Sequence, residues 1–357
     1  MEVKPNFERF KKVVMHQEAD RVPLCESLIE FPIQSQFLGR EVTAGDLQAQ
    51  VEFWTKAGYD FVPVTVGVME PGKVTEESSI SRVIRDVMLK DSVEGDDDTS
   101  WNLEYNSFID NRADFEKFPW DTLAELDFTK IREVKKYLPE NMKVIATAGK
   151  IFTLTWMLMG FNNFSTSLIL DEQLVADVFK KVADIQFKAM ETIFEMDHVG
   201  AVWATDDLAF GSGPMISPQA YRDHLFPWYR EIAARCHKND LLFIMHSDGD
   251  LSLLMEDLID IGVDLLQPID PGCMDIARVK REYGDRIAMA GNVSNELLRS
   301  GEPAEVEARV KELLRDIAPG GGYCVGSGNS VPSWAKFENF MAMRETTLKY
   351  GAYPISI

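Results

Sequence analysis

Cysteine is scarce in this 357-residue chain, and its four copies are scattered: Cys25, Cys236, Cys273 and Cys324 form no CxxC or CxC pair. Four dispersed thiols in a chain this long do not make the disulfide framework of a small secreted protein. Cys25 and Cys324 fall inside apolar runs, where a free cysteine packs as a small hydrophobe. Long hydrophobic runs are missing too, since no segment approaches the roughly 20 apolar residues that span a bilayer. The start, Met1-Glu2-Val3-Lys4-Pro5-Asn6, lacks a basic stretch followed by an apolar one, so no secretory leader is expected and the cytoplasm is the expected compartment. Positive charge is also in deficit. Lys and Arg number 37 against 58 Asp and Glu, a net charge of −21. Such a surface repels phosphate backbones and anionic lipids, which argues against nucleic-acid and membrane partners. No GxGxxG follows an early strand and no Walker A sequence occurs, so an open dinucleotide- or nucleotide-binding sheet has no support.

What is present is a repeat of short apolar runs and amphipathic stretches. Eight runs read as strands: Val22–Leu28, Tyr59–Gly67, Lys143–Ala148, Ala201–Asp207, Leu241–His246, Asp264–Ile269, Arg286–Gly291 and Tyr323–Gly326. Most are nearly continuously apolar, the pattern of parallel strands covered on both faces. Helical periodicity lies between them, over Ala44–Ala57, Glu172–Met196, Pro218–Lys238, Leu251–Ile261, Met274–Tyr283, Pro303–Ile317 and Trp334–Tyr350. Eight alternations predict a single-domain (β/α)8 TIM barrel over residues 1–357. Residues 68–142 depart from the repeat. They read as a β-hairpin inserted between strands two and three, turning at Glu94–Asp98, followed by a helix near 123–137. Such an insertion shapes an active-site mouth.

Barrel chemistry sits where strands end at the C-terminal rim. The fifth run ends in His246-Ser247-Asp248-Gly249. Residues two apart on a strand point the same way, so His246 and Asp248 project together and Gly249 allows the chain to turn. An imidazole and a carboxylate aimed at one point form half a metal site or an acid–base pair. Other strand ends supply Glu26, Asp206-Asp207, Gln267, Asp270, Asn292, Ser327 and Asn329. Adjacent residues face opposite ways, so only one of Asp206 and Asp207 is expected to reach the site. The remaining histidines, His16, His198, His224 and His237, fall in or beside helices and read as structural or solvent-facing.

Taken in order, Arg21-Val22-Pro23, Asp206-Asp207-Leu208, Ser217-Pro218, His246-Ser247-Asp248-Gly249, Gly291-Asn292-Val293, Gly320-Gly321-Gly322-Tyr323 and Glu338-Asn339 resemble the uroporphyrinogen decarboxylase superfamily, which includes corrinoid-dependent methyltransferases. The resemblance spans essentially the whole chain and implies a (β/α)8 barrel. True decarboxylases of the family carry an arginine-rich segment after the first strand and an aspartate near the end of the second. Here those stretches read Leu24–Glu30, with Glu26 and Glu30, and Val64-Thr65-Val66. A polyanionic porphyrinogen would meet carboxylates where it needs cations. The thiol-methylating branch holds zinc through His-x-Cys on strand five and a cysteine near strand eight. This chain places Asp248 in the second slot and Ser327 or Asn329 near the third. A His/carboxylate/amide set is harder than a thiolate set and suits oxygen donors.

The resemblance therefore implies a methyltransferase that moves a methyl group from a small O-methyl donor, such as a methoxylated aromatic, to the cobalamin of a separate corrinoid protein. No Asp-x-His-x-x-Gly corrinoid motif occurs in the chain itself. The residues assigned are Glu26, Asp207, His246 and Asp248 for catalysis, with His246, Asp248 and Glu26 as zinc ligands. Asn292, Asn329, Trp101 and Tyr105 are assigned to substrate binding. The expected partners are the corrinoid protein and the small methyl donor, and a homodimer is left open. The alternatives are a decarboxylase acting on a smaller or less anionic substrate and a non-catalytic binding protein on an enzyme scaffold.

Overall fold

A computed structural model describes residues 4–66, 107–123, 126 and 128–357. Its centre is a curled sheet of seven parallel strands. In chain order these are β1 (Phe61–Thr65), β2 (Lys143–Thr147), β3 (Val199–Thr205), β6 (Leu242–His246), β7 (Leu265–Gln267), β8 (Ala288–Val293) and β9 (Tyr323–Ser327), paired in that sequence. Two short strands, β4 (Ala209–Phe210) and β5 (Gly213–Pro214), form a separate antiparallel hairpin just after β3. Seven of the eight expected runs are thus strands. The eighth is corrected: Val22–Leu28 is not a continuous strand. It lies beside β9 through a single parallel bridge, Leu24 to Val325, with a second at Ile29 to Val331. Pro23, inside the run, has no N–H to extend a ladder, which fits this interruption.

Helices cover the outer face of the sheet, and their starts follow side-chain chemistry. Asp46 accepts from the Ala49 N–H at 2.9 Å and starts Leu47–Ala57, three residues later than the periodicity suggests. Asp171 caps Glu172–Phe194. The expected helix Pro218–Lys238 is two helices, Pro218–His224 and Phe226–Lys238, because Pro227 cannot continue the first one's hydrogen bonding. Two consecutive helices, Phe152–Met159 and Phe161–Leu170, were not evident in the sequence. Within the insertion, the described part contains Arg112–Lys117, Trp120–Leu123 and Thr129–Val134 instead of one helix over 123–137. The expected β-hairpin lies outside the described residues.

Two apolar layers meet at the sheet. The outer one joins strand side chains such as Val62, Val144 and Val202 to the helices. The inner one contains Phe61, Ile145, Trp203, Ile244, Leu265, Ala290 and Cys324, together with Phe7, Phe10, Val13 and Val14 of the helix Phe7–Val14. This helix closes the N-terminal end of the strands. Phe7 N–H donates to the Asn141 carbonyl at 2.8 Å and Gly322 N–H to the Val13 carbonyl at 2.7 Å, and both partners lie just before strand starts. Gly200 is required there, because a Cβ would sit 2.4 Å from the Phe7 ring. Arg9 ties the plug down, bonding Asp20 at 2.6 and 2.9 Å and the fully buried Asp60. With one end of the sheet filled, polar groups are left to gather at the other.

Candidate active site

β3 and β6 run side by side in parallel, with Thr205 opposite His246, so the residues just beyond their ends emerge together. The pair Asp206-Asp207 splits there as strand alternation requires. Asp206 is fully buried and turns outward. Its carboxylate accepts the backbone N–H groups of Ile151, Phe152 and Thr153 at 2.6 to 2.8 Å, and also the Tyr229 hydroxyl. It is a cap, supplied from a distant part of the chain, for the helix Phe152–Met159. Asp207 turns the other way, towards His246.

Asp207, His246 and Asp248 each offer one donor atom within 4.8 Å of the others. His246 Nε2 lies 3.7 Å from Asp207 Oδ1 and 3.9 Å from Asp248 Oδ1. The Asp248 N–H donates to Asp207 Oδ1 at 3.1 Å, which holds the two acidic residues in register. Asp248 Oδ1 is buried and has no hydrogen-bond partner among the described residues. Burial, with Asp207 and Asp270 nearby, raises the Asp248 carboxyl to about 6, against the opposing pull of His246. The turn that delivers Asp248 depends on Gly249, at φ +88°, where a Cβ would lie 2.5 Å from the Ala209 carbonyl oxygen on β4. Gly249 N–H in turn donates to Asp270 at 3.2 Å.

Two amide side chains complete the cluster. Gln267, fully buried at the end of β7 and in register with His246, places Oε1 2.7 Å from His246 Nδ1. Its Nε2 donates to the Asn329 carbonyl at 2.6 Å, and the Asn329 side-chain amide donates to Asp248 Oδ2. Gln267 was visible in the sequence only as a polar residue closing an apolar run. Nothing in that pattern tells which side chain it will hold.

The other sequence-derived residues are placed differently. Glu26 is outside the Asp207/His246/Asp248 group. It is fully buried against the end of β9, where the Ser327 N–H donates to Oε1 at 2.6 Å and the Ser327 hydroxyl bonds Oε2 at 2.7 Å. Asn292 is buried, and its amide is committed to the Ile269 carbonyl and to Arg309, both at 2.7 Å. Trp101 and Tyr105 lie outside the described residues. A cavity of about 420 Å3 opens between the segment Ser27–Pro32 and β1. Its walls include Leu47, Trp54, Val62 and Val64, and its charged lining residues among those described are Glu30 and Lys130.

Glu26 offers a direct test of the buried rim. Burial pushes its carboxyl from 4.5 up to about 8, although the Ser327 hydrogen bonds pull downward. The unfolded chain releases this proton near 4.5 and the folded chain near 8. Between those values the folded state binds more protons, so stability falls as pH rises through the window, by about 1.4 kcal/mol per pH unit for one full proton. Glu26→Gln keeps the shape and removes the titration. Urea unfolding across this range should show the wild type losing stability with pH and the variant lacking that slope. Equal slopes would mean that Glu26 is already ionised in the folded protein.

Residues 106–350 match the family described as uroporphyrinogen decarboxylase (URO-D). The chain belongs to this family. A uroporphyrinogen decarboxylase from Coxiella burnetii is 24% identical over 233 residues, covering 63% of this chain and 62% of that protein. The matched stretch is thus less than two thirds of that relative's length. A second, from Neisseria meningitidis, is 22% identical over 252 residues, covering 68% of this chain and 70% of the relative. Among solved structures, a methyltransferase from Methanosarcina mazei superposes with a TM-score of 0.66 over 96% of this chain and 98% of its own, at 16% identity. That likeness is one of fold. No described helix is long and apolar enough to cross a membrane.

Proposed function

We propose that the protein is a methyltransferase that takes a methyl group from a small O-methyl donor and passes it to a corrinoid carried by a separate protein. The carrying observation is the convergence of Asp207, His246 and Asp248, two carboxylates and an imidazole, with one buried carboxylate oxygen left unpartnered. An orphaned buried oxygen is costly unless something fills its place, and a divalent cation is the simplest candidate. The donor set is oxygen-rich and without thiolate, which suits a cation that meets an oxygen-bearing substrate. Zinc is the proposed metal, and when bound it would act as a Lewis acid on the leaving oxygen.

The chain's own residues do the rest. Asp207 and Asp248 supply negative charge, and His246 directs Nε2 between them. Burial raises the Asp248 carboxyl to about 6; protonated, it would be able to give a proton to a leaving oxygen, and ionised, it would be able to hold a cation. The reported relatives are decarboxylases, but Glu26 and Glu30 follow Arg21-Val22-Pro23, and the cavity beside Glu30 has no arginine among its described lining residues. Among the described lining residues a substrate with many carboxylates would meet one glutamate and one lysine, not a cluster of cations, which supports a donor with little or no charge, such as a methoxylated aromatic.

The test is metal analysis of the purified protein together with a screen of O-methyl donors against a methyl-accepting corrinoid protein. One zinc per chain and donor-dependent corrinoid methylation are expected. A metal-free protein that releases carbon dioxide from a tetrapyrrole would replace this reading with decarboxylation.

A further inference from the structure

The hydrogen bonds around Gln267 decide a question that heavy-atom positions usually leave open: which nitrogen of His246 carries the proton. Gln267 reaches a backbone carbonyl, that of Asn329, at 2.6 Å. A carbonyl oxygen only accepts, so the atom facing it must be the amide nitrogen. The opposite end of the amide, 2.7 Å from His246 Nδ1, is therefore Oε1. An amide oxygen also only accepts, so Nδ1 must be the donor and carry hydrogen. The same residue, Asn329, then uses its side-chain amide on Asp248 Oδ2. One anchor point, at the start of the loop after β9, thus governs both His246 and Asp248. The atoms left over are His246 Nε2 and Asp248 Oδ1, which lie 3.9 Å apart, with Asp207 Oδ1 3.7 Å from Nε2.

We infer that Gln267 is a positioning residue that locks His246 as its Nδ1–H tautomer, and that with Asn329 it forms a bracket which leaves the Nε2 lone pair and Asp248 Oδ1 pointing at one place. The inference deepens the proposed cation site, but the tautomer exists whether or not a cation is bound. In the folded protein the bracket supplies the ordering beforehand, so a cation would not have to select among ring orientations. Supporting hydrogen bonds of this kind are worth roughly 10–100-fold in metal affinity.

The experiment uses the full chain, metal-free, with ring-15N histidine, and assigns the His246 signals by their loss in a His246→Gln sample. The wild type should show hydrogen on Nδ1 and a bare Nε2. Two variants of similar bulk separate hydrogen bonding from packing. Gln267→Met offers no acceptor and should lose the single tautomer and weaken zinc binding, read by competition with a chromogenic chelator, by roughly 10–100-fold. Gln267→Glu keeps an acceptor for Nδ1–H but sets an oxygen against the Asn329 carbonyl, so it should retain the tautomer while loosening the Asn329 end of the bracket. Hydrogen on Nε2 in the wild type, or identical behaviour of the two variants, overturns the inference. A wild type that shows the Nδ1–H form but binds no zinc removes the cation reading and leaves the bracket standing.

Discussion

Under the proposed function, His246→Ala should abolish both zinc binding and methyl transfer to a corrinoid protein. His246 is the one nitrogen donor in a cluster that is otherwise carboxylate, and its ring is largely enclosed. Without it, Asp207 and Asp248 remain as two like charges facing each other with no imidazole between them. Their repulsion raises the cost of keeping both ionised, and Asp248 is already lifted to about 6. The zinc affinity should fall by more than the roughly 100-fold attached to loss of a supporting residue. If the cation contributes about 3 kcal/mol to the reaction, turnover falls by at least ~10²-fold. Zinc stoichiometry and single-turnover methylation measure the two effects separately. Full activity with no metal in the wild type or the variant would remove the cation from the mechanism. Zinc binding by the wild type should also strengthen as pH rises through about 6, because Asp248 must surrender its proton to become a ligand.

How much of this site could be read in the amino-acid order depends on the range of the interaction. His246 and Asp248 were legible because they are two apart at the end of one apolar run, although the strand stops at His246 and the turn at Gly249 delivers Asp248. Asp207 was legible only as one of a pair, since alternation says that one member turns in without saying which. The role of Gln267 was not legible. Its partner His246 is 21 residues away and its anchor Asn329 is 62 away, and these distances are closed by the sheet, not by local pattern. Glu26 shows the opposite failure. A carboxylate near a first strand end suggested a ligand, but Ser327, 301 residues later, engages both of its oxygens. The parallel strands themselves were plain, because burial on both faces leaves nearly uninterrupted apolar runs. The interruption in Val22–Leu28 was only partly legible: Pro23 lacks a donor, but β1 carries Pro63 and is still a strand.

Asp206→Ala and Asp207→Ala, neighbours in sequence, should have opposite consequences. Asp206 is fully buried and satisfies four donors: three backbone N–H groups at the start of Phe152–Met159 and the Tyr229 hydroxyl. The residue at the helix start, Ile151, has no side chain that can accept a hydrogen bond, and it is itself fully buried, so water does not replace the lost acceptor. Truncation strands those donors in an apolar setting and removes a negative charge from the positive end of a helix. The expected loss is about 3–5 kcal/mol, the range for breaking a buried charged contact while its partners stay behind. Asp206→Asn should recover only part of it, because its amide nitrogen faces donors. The Asp207 side chain is 54% exposed and accepts one backbone N–H at 3.1 Å, so Asp207→Ala should change stability by no more than about 0.5 kcal/mol. It should instead lower zinc affinity. Urea denaturation of the two variants, with chelator competition on each, reads both predictions. If Asp207→Ala unfolds the protein and Asp206→Ala does not, the division between cap and ligand is reversed. If Asp206→Ala loses zinc while keeping its midpoint, the buried carboxylate belongs to the chemistry and the outward turn assigned to it is wrong.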